Sequence, residues 1–208
     1  MARSKTSGAW MQEHVSDAYV RRAQREGYRS RAAYKLLEIA RADRLITPGM
    51  TVVDLGAAPG GWSQVAAQLA GPRGKVIAVD VLEMEALRSV VFVRGDLGEA
   101  GTVEQVQSAL QAAPVDLVLS DMAPNISGIS VSDQARAVHL AELALTFSVK
   151  WLKPDGNLLV KTFQGTGFPQ LREMLSRHFR QVASRKPDAS RGRSSEVYLL
   201  CRGLIRRA

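Results

Sequence analysis

Four ionisable residues, two of each sign, stand where the chain could bring them into one cleft. Asp121 and Lys161 each come at the end of a predicted strand, and Glu196 begins the last predicted strand. The fourth, Lys35, lies in a basic helix near the start of the chain. Such a set could orient a hydroxyl, stabilise negative charge developing on its oxygen and help to remove its proton. Any one of them alone could be a charge that reaches solvent, but four at one cleft are hard to explain as packing.

The run from Val52 to Gln64, VVDLGAAPGGWSQ, predicts a buried strand that breaks into a glycine-rich turn and restarts as a helix. Gly56, Gly60 and Gly61 allow positive φ and close backbone approach, and Pro59 stiffens the turn. The spacing G-x-x-x-G-G differs from the G-x-G-x-x-G fingerprint that tightens around a pyrophosphate. A cofactor without phosphate, bearing an amino-acid end, a ribose and a base, suits this turn better. S-adenosylmethionine fits that description.

Acidic residues follow the next strands at ligand-binding positions. Asp80 ends the second strand, where a carboxylate can accept hydrogen bonds from both hydroxyls of a cofactor ribose. Asp96 follows the third strand and could accept from the adenine amino group, although a turn-forming role is the alternative. Trp62, which opens the helix after the glycine turn, either packs against the cofactor or covers the sheet.

The segment SDMAPN, residues 120–125, places Asp121 over the carboxyl ends of the strands, where open α/β sheets bind ligands. Methyltransferases that modify base amino groups often have two prolines and a stacking aromatic here. This chain has one proline followed by Asn125. An amino group is therefore disfavoured as the target.

Strand and helix patterns alternate after Gly49, which predicts right-handed crossovers and a mostly parallel sheet covered on both faces. The predicted strands are 52–55, 75–80, 90–93, 115–120 and 157–161, and the predicted helices between them are 63–70, 102–112, 132–151 and 169–177. Segments 180–186 and 196–201 are joined by a loop without a helix, so we expect them to form an antiparallel pair at one side of the sheet. Before the sheet, Ser16 and Ser30 are predicted to cap helices that end near Gly27 and Arg44.

Charge is distributed unevenly along the 208 residues. The net charge is +5 over residues 1–44, −4 over the middle and +7 over residues 177–208. We expect residues 45–208 to form one globular domain, with 1–44 as a basic helical extension packed on it. Basic ends around an acidic core indicate a polyanionic partner, nucleic acid, although solvated helix faces and a frayed tail are the alternative. The predicted RNA contacts are Arg21, Arg22, Arg25, Arg29, Arg31, Arg185, Lys186, Arg191 and Arg193.

Several function classes are disfavoured by composition. No apolar run approaches the length of about eighteen residues that spans a bilayer, and Met1 to Gly8 is polar, so we expect a cytoplasmic protein without a membrane. Cys201 is the single cysteine, which excludes an internal disulfide and a thiolate metal cage. His14, His139 and His178 have no metal-ligand spacing, and we expect no metal. No large apolar stripe is left unassigned, which favours a monomer.

The chain resembles the FtsJ/RrmJ family, the heat-shock ribosomal RNA large-subunit ribose 2′-O-methyltransferases, along nearly its whole length. The stretches that carry the resemblance are the glycine turn, SDMAPN, VKTFQG (160–165), RKPDASRGRSSEVY (185–198) and RSRAAYKL (29–36). The resemblance implies a class I S-adenosylmethionine-dependent methyltransferase fold, Rossmann-like, with a seven-stranded sheet. It also implies a uridine in the A loop of 23S ribosomal RNA, in the assembled large subunit, as the target. The implied catalytic set is Lys35, Asp121, Lys161 and Glu196, and the implied cofactor contacts are Gly60, Trp62, Asp80, Asp96 and Asp121.

Two questions stay open at the level of sequence. The first is the role of Lys161, since a lysine amine is charged at neutral pH and so makes a poor base. We expect it to orient the hydroxyl and stabilise charge on its oxygen, with Asp121 or water taking the proton. The second is the substrate. A transfer RNA or cap ribose methyltransferase would keep the same four residues, and a non-catalytic RNA-binding assembly factor is a more distant alternative; a nicotinamide oxidoreductase is disfavoured by the glycine spacing.

Overall fold

A seven-stranded sheet with helices on both faces organises the chain, and the computed structural model describes residues 17–124, 130–190 and 194–205. The strands are β1 (Thr51–Leu55), β2 (Lys75–Asp80), β3 (Val90–Arg94), β4 (Val115–Ser120), β5 (Leu152–Phe163), β6 (Phe179–Arg185) and β7 (Glu196–Leu204). The helices are α1 (Ala18–Glu26), α2 (Ala32–Asp43), α3 (Gly61–Ala70), α4 (Ala100–Leu110), α5 (Ser130–Trp151) and α6 (Phe168–Ser176).

The strand order is β3-β2-β1-β4-β5-β7-β6. The first five strands in this order pair in parallel, whereas β7 is antiparallel to both β5 and β6. The predicted α/β class, parallel core and terminal antiparallel pair are therefore confirmed. Since β1 and β4 leave the sheet centre in opposite directions through their crossovers, the carboxyl ends of these two strands form the crevice where such sheets bind ligands.

Element bounds differ from the prediction at a few places. The largest difference is β5, which begins at Leu152 because that buried side chain pairs with Val115, before a register shift that lets the exposed residues 153–155 bulge outward. Asp17 is the N-cap of α1, where its Oδ1 accepts from the Tyr19 N–H at 2.9 Å; the predicted cap, Ser16, lies outside the described residues. The predicted cap of α2 was wrong, since Arg31 takes that position and no side chain caps the helix.

Two apolar layers hold the helices to the sheet. Val53, Val118 and Val160 face the layer formed with α4, α5 and α6. Alternate residues of the same strands, such as Leu119 and Leu159, face α2 and α3. All five residues of β1 are buried, as expected for a central parallel strand covered on both sides. The α2/α3 side of the sheet carries the ion pairs of the site described next, and α5 lines its cavity from the other side.

Polar contacts attach the segment 17–44 to the rest of the fold. The Gln64 side chain of α3 accepts from the Arg29 main-chain N–H at 2.8 Å and donates to the Gly27 carbonyl at 3.0 Å. At the other end of α2, Asp43 receives two hydrogen bonds of 2.7 Å from the Arg185 guanidinium. None of the helices in the described part of the chain is long and apolar enough to cross a membrane. Across those same residues, no group of three or more His, Cys, Asp or Glu could hold a metal ion.

Candidate active site

The turn between β1 and α3 needs glycine at two positions. Gly56 and Gly60 have φ of 75° and 108°, in the region that side chains disfavour. A Cβ on Gly56 would lie 2.6 Å from the Met122 side chain, so the backbone of the turn closely approaches the segment after β4. At Gly60 the space is filled by Arg29, Met84 and Leu87 on the outer side of the turn. The turn is therefore packed from both sides.

A cavity of about 480 Å³ opens at the carboxyl ends of the parallel strands, and its wall contains Asp80, Asp96 and Asp121. These are the three acids that the sequence predicted for cofactor binding. Gly56 and Ala58 of the turn line it too, and Leu82, Leu97, Met122, Leu140 and Leu143 supply apolar walls. A larger hollow of about 750 Å³ lies at the opposite end of the strands, beside Trp151, and contains none of the predicted site residues.

Asp80 and Asp96 are held by main-chain N–H groups of neighbouring turns. The Asp80 carboxylate accepts from the main-chain N–H of Ala58 at 2.9 Å and of Leu82 at 2.8 Å, one on each oxygen. Asp96 accepts from the Gly98 N–H at 2.8 Å. A carboxylate oxygen has two lone-pair positions, so each acid keeps accepting capacity for ligand hydroxyl or amino groups. Their turn-forming and ligand-binding roles are thus compatible.

The floor of the turn contains a buried acid that the sequence analysis did not assign. Asp54 is fully buried, and its Oδ2 accepts from the Ser63 hydroxyl at 2.6 Å. Its Oδ1 has no hydrogen-bond partner among the described residues. Burial raises the pKa of Asp54 to about 7; Asp121 and Asp80 add to the rise, and the hydrogen bond from Ser63 opposes it. The position of Asp54 in the apolar strand VVDL was a signal for this role.

Beside the cavity, the four predicted catalytic residues form two ion pairs. The Lys35 amine lies 2.6 and 2.8 Å from the two Glu196 oxygens. The Lys161 amine lies 3.0 Å from Asp121 Oδ1 and also donates to the Asp121 main-chain carbonyl. The side chains of Lys161, Glu196 and Lys35 are 7%, 11% and 13% exposed. The four residues thus form two ion pairs, and the Lys161–Asp121 pair adjoins the cavity through Asp121.

Strand register explains why three of them meet. Lys161 of β5 pairs with Tyr198 of β7 in the antiparallel ladder, and Glu196 precedes Tyr198 by two residues. Paired residues, and residues two apart on one strand, point to the same face of a sheet. That face is covered by α2, which carries Lys35. Asp121 comes directly after the neighbouring strand β4, and its N–H donates to the Leu55 carbonyl at 3.2 Å.

Tyr198 links the two ion pairs, and the sequence analysis did not predict it. Its hydroxyl donates to Asp121 Oδ1 at 2.9 Å, and its ring centroid lies 5.8 Å from the Lys35 amine. The pKa of Tyr198 is raised, first by burial and then by the charges of Asp121 and Glu196. The phenol therefore stays protonated and acts as a hydrogen-bond donor. Its place two residues after Glu196 was the available signal.

Opposing effects set the charge of Glu196. Burial raises its pKa, but the attraction and hydrogen bonds of Lys35, the charge of Lys161 and a hydrogen bond from the Ser190 hydroxyl at 2.9 Å outweigh burial. The net result is a pKa below the ordinary value, so Glu196 is ionised at neutral pH. The ionised Glu196 carboxylate faces the Lys35 amine at 2.6 Å.

Trp62 is buried in the structure. The residue is 2% exposed, its Nε1–H donates to the Ala32 carbonyl at 2.8 Å, and its ring centroid lies 5.5 Å from that of Tyr198. Of the two predicted roles, covering the sheet accounts for the side chain. The main-chain N–H of Trp62, in the first turn of α3, has no intrahelical acceptor and is the group suited to a ligand.

The predicted RNA contacts divide into two groups. Arg21, Arg22 and Arg25 have exposed side chains on α1, where Arg22 also pairs with Glu26. The second group donates hydrogen bonds to carbonyls or carboxylates of this same chain and consists of Arg29, Arg31, Arg185 and Lys186. Arg191 and Arg193 lie outside the described residues.

A model of the FtsJ-like methyltransferases matches residues 28–204, which include the glycine turn, the three cavity acids and the two ion pairs. The chain belongs to the FtsJ-like methyltransferase family. The matched region begins within the connection between α1 and α2 and runs to the end of β7, so it contains the whole sheet.

Relatives cover the full chain. It is 59% identical to the ribosomal RNA large subunit methyltransferase E of Methylobacillus flagellatus, over 100% of this chain and 99% of the relative. The enzyme of the same name from Pseudomonas aeruginosa is 55% identical over 98% of each chain. Among solved structures, one described as a ribosomal RNA methyltransferase of Plasmodium falciparum has a TM-score of 0.78 at 28% identity, covering 86% of this chain and 100% of that one.

Proposed function

We propose that this protein transfers a methyl group from S-adenosylmethionine to a ribose 2′-hydroxyl of RNA in the large ribosomal subunit. The observation that carries the proposal is the position of Asp121, which lines the cofactor-sized cavity and also pairs with Lys161. One residue therefore joins the cavity for the methyl donor to the group that would handle the acceptor. The names of the relatives support ribosomal RNA as the substrate.

The residues of the cavity fit this cofactor. Carboxylates at Asp80 and Asp96 provide acceptors for the ribose hydroxyls and the adenine amino group, and a third at Asp121 faces the same space. The main-chain N–H of Trp62, in the first turn of α3, suits the methionine carboxylate, whereas the Gly60 N–H already donates to the Ala57 carbonyl at 2.7 Å. When bound, the cofactor supplies a methyl group on a sulfonium, which a nucleophilic oxygen can displace. The chain must then align the acceptor and manage its proton.

Lys161 is placed to orient the acceptor hydroxyl and to stabilise negative charge on its oxygen. Its amine lies between carboxylates, with Asp121 Oδ1 at 3.0 Å and the charge of Glu196 acting on the same region. An ammonium at this place can donate a hydrogen bond to the acceptor oxygen and cannot accept its proton. Asp121, or water beside it, is then the acceptor of the hydroxyl proton.

The dependence of rate on pH tests this division of roles. If a charged Lys161 orients the hydroxyl and Asp121 or water takes the proton, the single-turnover rate should be flat above neutral pH. A rate that keeps climbing towards the alkaline range in which free lysine titrates would instead make Lys161 the base.

RNA binding is assigned to the exposed face of α1. Arg21, Arg22 and Arg25 have exposed side chains that can reach phosphate, and log affinity for single-stranded RNA should fall with log salt at a slope of about −2 if all three do so. The 2′-hydroxyl distinguishes RNA from DNA, so DNA could bind without reacting. Changing Arg22 and Arg25 to Glu should weaken RNA binding and leave cofactor binding intact. A salt-independent affinity would refute this surface.

The finer target is a uridine in the A loop of 23S ribosomal RNA, modified in the assembled subunit by a monomeric cytoplasmic enzyme. The test offers cofactor with a labelled methyl group to naked ribosomal RNA, to transfer RNA and to large subunits from cells that lack this protein, and maps the product. Lys161→Met serves as the inactive control. Label at one uridine of the subunit is the expected result; label on transfer RNA alone, or on no RNA, would overturn the proposal.

A further inference from the structure

We propose that Arg29 is a positioning residue for the cofactor cavity and does not serve as an RNA contact. Its guanidinium donates from Nη1 to the carbonyls of Pro59, at 3.1 Å, and Glu85, at 2.7 Å, and from Nη2 to the carbonyl of Ala86, at 2.9 Å. The side chain is 19% exposed. Three of its five N–H donors are thus taken by main-chain carbonyls of this chain.

These carbonyls belong to two segments that flank the cavity. Pro59 lies between Ala58, which lines the cavity, and Gly60 of the glycine turn. Glu85 and Ala86 belong to the connection between β2 and β3, which follows the cavity residues 80–82. Arg29 thus joins the turn to the connection.

The position of the connection depends on side-chain contacts such as these, because residues 83–87 form no regular secondary structure. Met84 and Leu87 of this segment fill the space beside Gly60, where a Cβ would lie 3.0 and 2.9 Å from them. Without the guanidinium, two carbonyls of the connection and one of the turn would lose their donor. Hydrogen bonds to a charged group are the stronger kind, so their loss should loosen both cavity walls.

The Arg29 main chain is itself fixed, since its N–H donates to Gln64 of α3 at 2.8 Å. The Arg29 guanidinium therefore extends from a backbone that is hydrogen-bonded to α3, the helix after the glycine turn. Lysine in place of arginine would keep the positive charge, but its single ammonium could not reproduce the planar fork that reaches acceptors in two segments. This difference separates a positioning role from a phosphate contact.

The test compares Arg29→Ala and Arg29→Lys with a matched control, Arg25→Ala, which removes an exposed arginine of α1. Both Arg29 variants should bind S-adenosylmethionine about 10- to 100-fold more weakly by calorimetry, with a raised cofactor KM and kcat near wild type at saturating cofactor. Their affinity for RNA should stay within about twofold of wild type. Arg25→Ala should show the reverse pattern.

Loss of RNA affinity in Arg29→Ala that Arg29→Lys restores, with cofactor affinity unchanged, would overturn the inference, because a phosphate contact behaves that way. A lower Tm with unchanged cofactor KM would overturn it as well, since that is a purely structural effect. The inference rests on the proposed function only for the identity of the ligand. Hydrogen exchange of residues 81–87 gives a readout without cofactor, and it should rise in both Arg29 variants and stay unchanged in Arg25→Ala.

If the wild-type protein bound no S-adenosylmethionine, the proposed function would fail. The exchange data would still decide whether Arg29 fixes the cavity wall: equal protection of residues 81–87 in all variants would refute it.

Discussion

Replacing Asp54 with Asn should remove a pH-dependent loss of stability that this buried acid imposes. Burial raises the pKa of Asp54 from 3.8 to about 7. The folded protein therefore holds a proton on this group over a pH range in which the unfolded chain has released it. Since the folded state binds more protons there, the free energy of unfolding falls as pH rises from about 4 to 7 and levels off above. Asp54→Asn is isosteric and uncharged, so it keeps the contact with Ser63 without that fall.

The magnitude follows from the shift. A rise of about 3 pKa units corresponds to about 4 kcal/mol, at roughly 1.4 kcal/mol per unit. Urea unfolding followed by tryptophan fluorescence, at several pH values between about 4 and 8, gives the free energy for each protein. The difference in unfolding free energy between the variant and wild type should grow by about 4 kcal/mol as pH rises through this range. Its stability relative to wild type is therefore greatest above neutral pH.

Glu196→Gln provides the control. Glu196 has a lowered pKa, so it contributes stability above its unfolded value, and that contribution is lost as pH falls through the folded value. The pH range in which Glu196 changes stability is therefore more acidic than that of Asp54. The fall in unfolding free energy between about pH 5 and 7 should persist in Glu196→Gln. A constant difference in stability between wild type and Asp54→Asn at every pH would refute the assignment of Asp54 as a neutral acid beneath the turn.

Three further variants test the site and its support. Tyr198→Phe removes the donor to Asp121 and should lower the single-turnover rate constant about tenfold or more, with cofactor affinity unchanged. An unaltered rate constant would exclude Tyr198 from positioning that carboxylate. Lys161→Met should abolish methyl transfer to RNA while calorimetry shows cofactor binding, and a rate close to wild type would count against its role. Arg185→Ala breaks the bidentate pair with Asp43 and should lower stability by about 1–3 kcal/mol in urea unfolding without changing RNA affinity, whereas the opposite pattern would place this arginine at the RNA.

Sequence alone determined the elements and their order, because those depend on local patterns. Alternating apolar strands and helices predicted the parallel sheet, and a loop without a helix predicted the antiparallel β6/β7 pair. The same topology predicted that Asp80, Asp96 and Asp121 lie near one another, since the carboxyl ends of parallel strands share an edge. The roles of Lys35 and Glu196 came from family resemblance, because 161 residues separate them in the chain.

Only the tertiary structure decided what each polar group contacts. Arg22 and Arg29 are equivalent in a count of charge, yet one is exposed on α1 and the other is bound by three carbonyls. In the sequence Asp54 is one residue of a strand, and in the structure burial between α3 and the sheet raises its pKa. Tyr198 joins the two ion pairs through the register of β5 and β7. A sequence pattern specifies which face of an element is apolar, but partners distant in the chain are chosen by how the packed elements align.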